Sequence, residues 1–178
     1  MKNKAQKLIL TVLTMSTVLA FAACGNTDTV MESEPMETVE TAETVQVVQD
    51  GMQPIFGSDI KDGTYEITVD SSSTMFRITA CQLTVKDGTM TADMTMGGTG
   101  YLYLYMGNSE DAEKADESDY IPFTENADGT HTFTVPVEAL DSGIACAAFS
   151  KKKEIWYDRT LVFRADSLPI CLLYTSPS

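Results

Sequence analysis

From Tyr65 onward apolar residues return at every second position, and that period restricts the chain to strands. Tyr65, Ile67 and Val69 alternate with Glu66, Thr68 and Asp70; Cys81, Leu83 and Val85 with Gln82, Thr84 and Lys86; Met90, Ala92, Met94 and Met96 with Thr91, Asp93 and Thr95. Successive strand side chains point to opposite faces, so each segment offers one face to a core and one to water. A helix would need its apolar residues three and four apart. Asp87-Gly88 falls between two such runs, and Asp128-Gly129 precedes His131, Phe133, Val135 and Val137. Both pairs suit tight hairpin turns. Phe76, Ile78 and Ala80 occupy even positions whereas Cys81, Leu83 and Val85 are odd, which predicts a bulge or bend at Ala80.

Gly97-Gly98-Thr99-Gly100 ends this ladder before Tyr101-Leu102-Tyr103-Leu104-Tyr105-Met106, which is apolar at both parities and suits a strand covered on both faces. Residues 108–115 then read as one short helix, with Asn108 or Ser109 to cap free N–H groups and Glu110 and Asp111 in the first turn, where the helix dipole favours acids. Residues 144–149 and 159–163 supply the last strands. About seven to nine short strands at this spacing predict an all-β fold, an antiparallel immunoglobulin-like β-sandwich with one short helix. The domain is expected over residues 61–170, a length that can enclose its own core.

What precedes it has a different composition. Lys2, Lys4 and Lys7 lead into an apolar run ending in Leu19-Ala20-Phe21-Ala22-Ala23-Cys24-Gly25, which reads as a bacterial lipoprotein signal over 1–23, with the Cys24 thiol taking diacylglycerol. The 16 residues from 8 to 23 fall short of the roughly 20 that a membrane span needs. The expected location is therefore extracytoplasmic, lipid-anchored at the outer face of the cytoplasmic membrane. Residues 25–60 carry eight acids and no base, so 24–60 is expected to be an acidic, disordered tether. Cleavage after residue 23 removes three of 12 bases and none of 26 acids, leaving nine against 26, net −17. A surface of that sign repels phosphate backbones and argues against nucleic acid as a partner.

Residues 171–178, Cys171-Leu172-Leu173-Tyr174-Thr175-Ser176-Pro177-Ser178, resemble translated sequencing-adapter read-through and are expected to be a non-native tail. Cys81 and Cys146 are then the cysteines left to explain. Both lie in apolar strand-like stretches; buried thiols are the favoured reading and a disulfide the other.

Few catalytic constellations can be assembled. The single histidine, His131, shares the parity of Phe133 and Val135 and reads as a strand residue near a turn. No Ser-His-Asp set, His-rich metal site or phosphate loop is present, so the chain is read as non-enzymatic. Two segments rise above that background. One is Ser71-Ser72-Ser73-Thr74-Met75-Phe76, where a polar run turns abruptly apolar after a strand. The other is Lys151-Lys152-Lys153-Glu154-Ile155-Trp156-Tyr157-Asp158-Arg159, which holds four of the nine bases that follow the signal and the only tryptophan. Cations beside aromatic rings suit a flat, anionic ligand.

Tyr157-Asp158-Arg159-Thr160-Leu161-Val162-Phe163 resembles the last strand pair of NEAT haem-binding domains, in which a Tyr-Asp pair leads into a Leu and Phe strand and a tyrosine ligates haem iron. The step into Met75-Phe76 resembles the short lip that covers haem in those modules. The resemblance implies a binding module for haem, or a related porphyrin, in bacterial iron uptake, with an importer as partner. It places the ligand between the 72–76 lip and the 156–159 hairpin, with Ser73, Met75, Phe76, Met106, Lys153, Trp156, Tyr157 and Arg159 as ligand-binding residues. Tyr157 or Met75 would ligate iron, and Lys153 or Arg159 would pair with a propionate. A related surface module uses methionine ligands, which brings in Met75 and Met106; gap-filling in a Met-rich core is the plainer role for both. Tyr157 would otherwise be a sandwich tyrosine with its hydroxyl at the rim. Leu161 stands where these modules often carry a second tyrosine, so the phenol that tunes the ligand is missing. The alternative reading is a non-catalytic recognition module for protein or glycan, with Tyr101, Tyr103 and Tyr105 as an aromatic platform.

Overall fold

A computed structural model describes residues 44–168. The signal at 1–23, the lipid site Cys24, tether residues 24–43 and the end of the chain from 169, including the expected foreign tail, lie outside the described residues. Ten strands form two five-stranded antiparallel sheets. They are β1 (Gly63–Glu66), β2 (Thr68–Ser71), β3 (Ile78–Lys86), β4 (Thr89–Met96), β5 (Tyr101–Tyr105), β6 (Ile121–Pro122), β7 (Thr124–Glu125), β8 (His131–Val137), β9 (Ile144–Ser150) and β10 (Trp156–Arg164). The first sheet runs β1-β3-β4-β8-β7 and the second β2-β10-β9-β5-β6. The expected antiparallel sandwich is therefore observed, and the strand number exceeds expectation because two strands change sheets midway.

Both changes happen at a buried or half-buried apolar residue. The segment read as one strand from Tyr65 to Val69 breaks at Ile67, whose N–H reaches the Cys81 carbonyl of β3 at 3.0 Å while Thr68 to Ser71 pair with β10. Phe123 does the same between β6 and β7, its ring lying flat on His131 with centroids 3.7 Å apart. Between the sheets, alternate residues interlock as the period-two pattern requires: Cys81, Leu83 and Val85, Met90 to Met96, Phe133 and Val135 from one sheet, and Leu104, Cys146, Ala148, Leu161 and Phe163 from the other.

The local signals act as their chemistry demands. Asp87 and Gly88 take φ of 52° and 74°, the positive values of a two-residue hairpin turn, and Lys86 pairs with Thr89 across it. The register of β3 against β4 slips between Ile78 and Ala80, where the phase reverses. The helix α1 (Ser109–Ala112) is capped by the Asn108 side chain, which accepts the Asp111 N–H at 2.8 Å. Cys81 and Cys146 are free, buried thiols.

The folded unit begins earlier than residue 61. Part of the stretch read as tether, 44–60, is docked on the sandwich: Thr44 bridges Ser73, the Val45 N–H donates to the Ser72 carbonyl at 2.7 Å, and Ile55 and Leu140 exchange backbone bonds at 3.1 and 2.8 Å. Ile60 and Val47 are buried. Acidic composition hides these few apolar anchors, because they follow no period.

Candidate functional site

Strand β10 sorts the expected ligand residues by face. Leu161 and Phe163 enter the main core, so Tyr157 and Arg159, four and two residues before Leu161, share that inner side. Trp156 points the other way. It pairs in register with Phe149 of β9, and their rings lie 5.2 Å apart on the outer face of the second sheet.

The lip does come beside β10. Where β2 stops pairing, Ser72 holds Thr160 from both sides: its N–H donates to the Thr160 carbonyl at 2.9 Å, and its hydroxyl accepts the Thr160 N–H at 2.8 Å. The next residues turn away. Ser73 is buried, its Oγ accepting the Met75 N–H at 3.3 Å and its carbonyl the Phe76 N–H at 3.1 Å. Phe76 is fully buried, with its ring 5.2 Å from Tyr101. Both therefore build the lip from inside. Met75, between them, is 56% exposed.

Arg159 links β10 to β5. Its guanidinium lies 5.1 Å from the centre of the Tyr157 ring, donates to the Tyr101 hydroxyl at 3.4 Å and to the Asp158 carbonyl at 2.7 Å, and leaves a buried Nε without a partner. Among the described residues no carboxylate neutralises it; the ion pairs of Asp70, Asp141 and Asp166 all go to Arg164. The Tyr157 hydroxyl makes no hydrogen bond to a described residue. Across the strands Arg159 stands opposite Cys146, whose thiol burial pushes up to about 12 against a smaller lowering by that guanidinium. Asp158, on the other face, accepts the Ser109 N–H and hydroxyl at 2.6 and 2.9 Å and so pins α1 to the sheet.

A cavity of about 370 Å³ opens at the Ser72–Thr160 junction, lined by Asp158, Arg159, Thr160, Ser72 and residues 44–48. Residues 44–48, part of the stretch whose acidic, aperiodic composition reads as tether, thus form one side of it. Lys153 lies exposed in the β9–β10 turn, its N–H bonded to Ser150 Oγ at 3.3 Å, and Met106 is half-buried against the core. The expected Tyr101, Tyr103 and Tyr105 platform is also divided. The register of β5 against β9 slips between Tyr101 and Tyr103, which turns Tyr101 toward Phe76 and leaves Tyr103 outside, against Tyr120 and Phe149.

Among the described residues no group of three or more His, Cys, Asp and Glu could hold a metal, and no helix is long and apolar enough to cross a membrane. His131 is buried in its stack with Phe123. No family model matches the chain, and no curated protein matches it.

Proposed function

We propose that the domain is a non-catalytic capture module for haem or a related porphyrin, carried on a lipoprotein anchored through Cys24 and handing its ligand to an importer. The observation that carries this reading is the Tyr157–Arg159 pair, an unbonded phenol 5.1 Å from an unneutralised guanidinium, and an exposed Met75 on the lip adds a second candidate iron ligand. Phenol and thioether are both iron ligands in haem proteins. A half-buried guanidinium without a carboxylate suits a propionate, to which it can donate two parallel bonds. Arg159 is the better placed of the two expected cations, since Lys153 sits out on a turn. Bound haem would supply the iron and the flat apolar face; the chain's own residues ligate, pair and shield.

The test is hemin titration of the purified chain, followed by absorbance. A shifted Soret band that Tyr157→Ala or Met75→Ala weakens is expected; an unshifted spectrum with a folded domain overturns the proposal. Arg159→Met should weaken hemin binding while changing stability by no more than about 1 kcal/mol, because it removes an unsatisfied buried donor along with its bonds. Denaturant unfolding of the ligand-free chain measures the second effect.

A further inference from the structure

The outer face of the second sheet carries an aromatic cluster that haem capture does not use. Tyr103, Phe149 and Trp156 stand in register across β5, β9 and β10, and Tyr120 closes the group, its ring 5.8 Å from Tyr103 and 4.9 Å from Trp156. Ring planes meet at 43° to 63°, so the surface is a knobbed cluster rather than the flat shelf on which a sugar ring stacks. It is open to water: Tyr103 is 38% and Ile155 48% exposed.

Charge brackets this patch with opposite signs. Immediately beyond Phe149 and before Trp156, the exposed turn carries Lys151, Lys152 and Lys153, none in an ion pair with a described residue. On the other side Tyr120 directly follows the 3-10 turn Glu117–Asp119, where Asp116, Glu117 and Asp119 are exposed and make no side-chain bond to a described residue. A polyanion drawn to the lysines would be repelled by the acids, and a polycation the reverse. The surface that matches both signs around an apolar centre is one with the same arrangement turned through 180°.

We propose that this face is a homotypic interface, in which a two-fold axis through the aromatic cluster sets the lysine turn of each copy against the acidic turn of the other. Such an isologous contact makes every charged pair twice. The patch is small, so the dimer is a transient one, with a dissociation constant between micromolar and millimolar. Trp156, the only tryptophan in the chain, sits inside the contact and reports on it.

Sedimentation equilibrium of the full chain across a concentration series should show reversible association, with Trp156 emission moving to shorter wavelength in step. Two charge-reversed variants decide the geometry: Lys151→Glu with Lys152→Glu and Lys153→Glu, and Asp116→Lys with Glu117→Lys and Asp119→Lys. All six positions are exposed, and circular dichroism checks that each variant stays folded. Each variant alone should associate at least about a hundredfold more weakly, since like charges then face each other on both sides of the axis. An equimolar mixture of the two should associate again, because both contacts regain opposite signs. A parent chain that stays monomeric, variants that associate as well as the parent or a mixture that fails to recover overturns the proposal. Glycan binding by a strictly monomeric parent would assign the face to carbohydrate instead.

Discussion

Cys81 and Cys146 show what burial does to a single group. Burial is the main cause that pushes each thiol up to about 12 from 9.0, with Asp93 adding to it at Cys81 and Arg159 opposing it at Cys146. At pH 8 the folded thiolate fraction is about one in ten thousand, against about one in ten once unfolded, so alkylation of these two positions should be negligible in the native chain and rapid in urea. Peptide mass spectrometry after a timed iodoacetamide pulse checks this. The sign for stability follows from a folded pKa above the unfolded one. The contribution is fully present below pH 9 and is lost as pH rises toward 12. Their burial was legible from alternating apolar neighbours. Arg159 was legible only as a cation beside aromatic rings; that Tyr101 would meet its guanidinium depended on a bulge that a sequence apolar at both parities does not mark.

The docked segment 44–60 belongs to the scale of elements, where Gly57 shows how tightly it sits. A Cβ there would run into the Gly88 carbonyl in the β3–β4 turn, so Gly57→Ala forces the segment or the turn to move. Together with buried Ile60, half-buried Ile55 and buried Val47, this makes the segment part of the core's cover. A chain starting at residue 61 should be less stable than one starting at residue 44 by several kcal/mol, at about 1.5–3 kcal/mol for each large side chain no longer buried. Urea unfolding of the two chains measures the difference, and equal midpoints would return the segment to the tether. Hairpin turns, the β3 bulge and the capped helix were readable because each rests on residues adjacent in sequence. The anchors of segment 44–60 are aperiodic, and their partners, Ser72, Ser73 and Leu140, are far along the chain.

One core shared by two sheets predicts that residues 44–168 unfold cooperatively. Strand crossings at Ile67 and Phe123 tie the sheets covalently at both places, and Phe133 and Phe163 meet in the same fully buried cluster. Unfolding followed by Trp156 fluorescence should therefore coincide with unfolding followed by circular dichroism, although Trp156 lies outside the main core. Separate midpoints would mean that the outer aromatic cluster melts on its own. Alternation, turn pairs and charge already dictated strands, their buried faces and an antiparallel sandwich, since those depend on the chemistry of near neighbours. Which strands change sheet, which side of β10 carries Tyr157 and which Trp156, and what stands beside Arg159 came from long-range pairing. A one-residue slip in register reverses every side chain beyond it, and no local pattern records a slip whose two outcomes are both apolar.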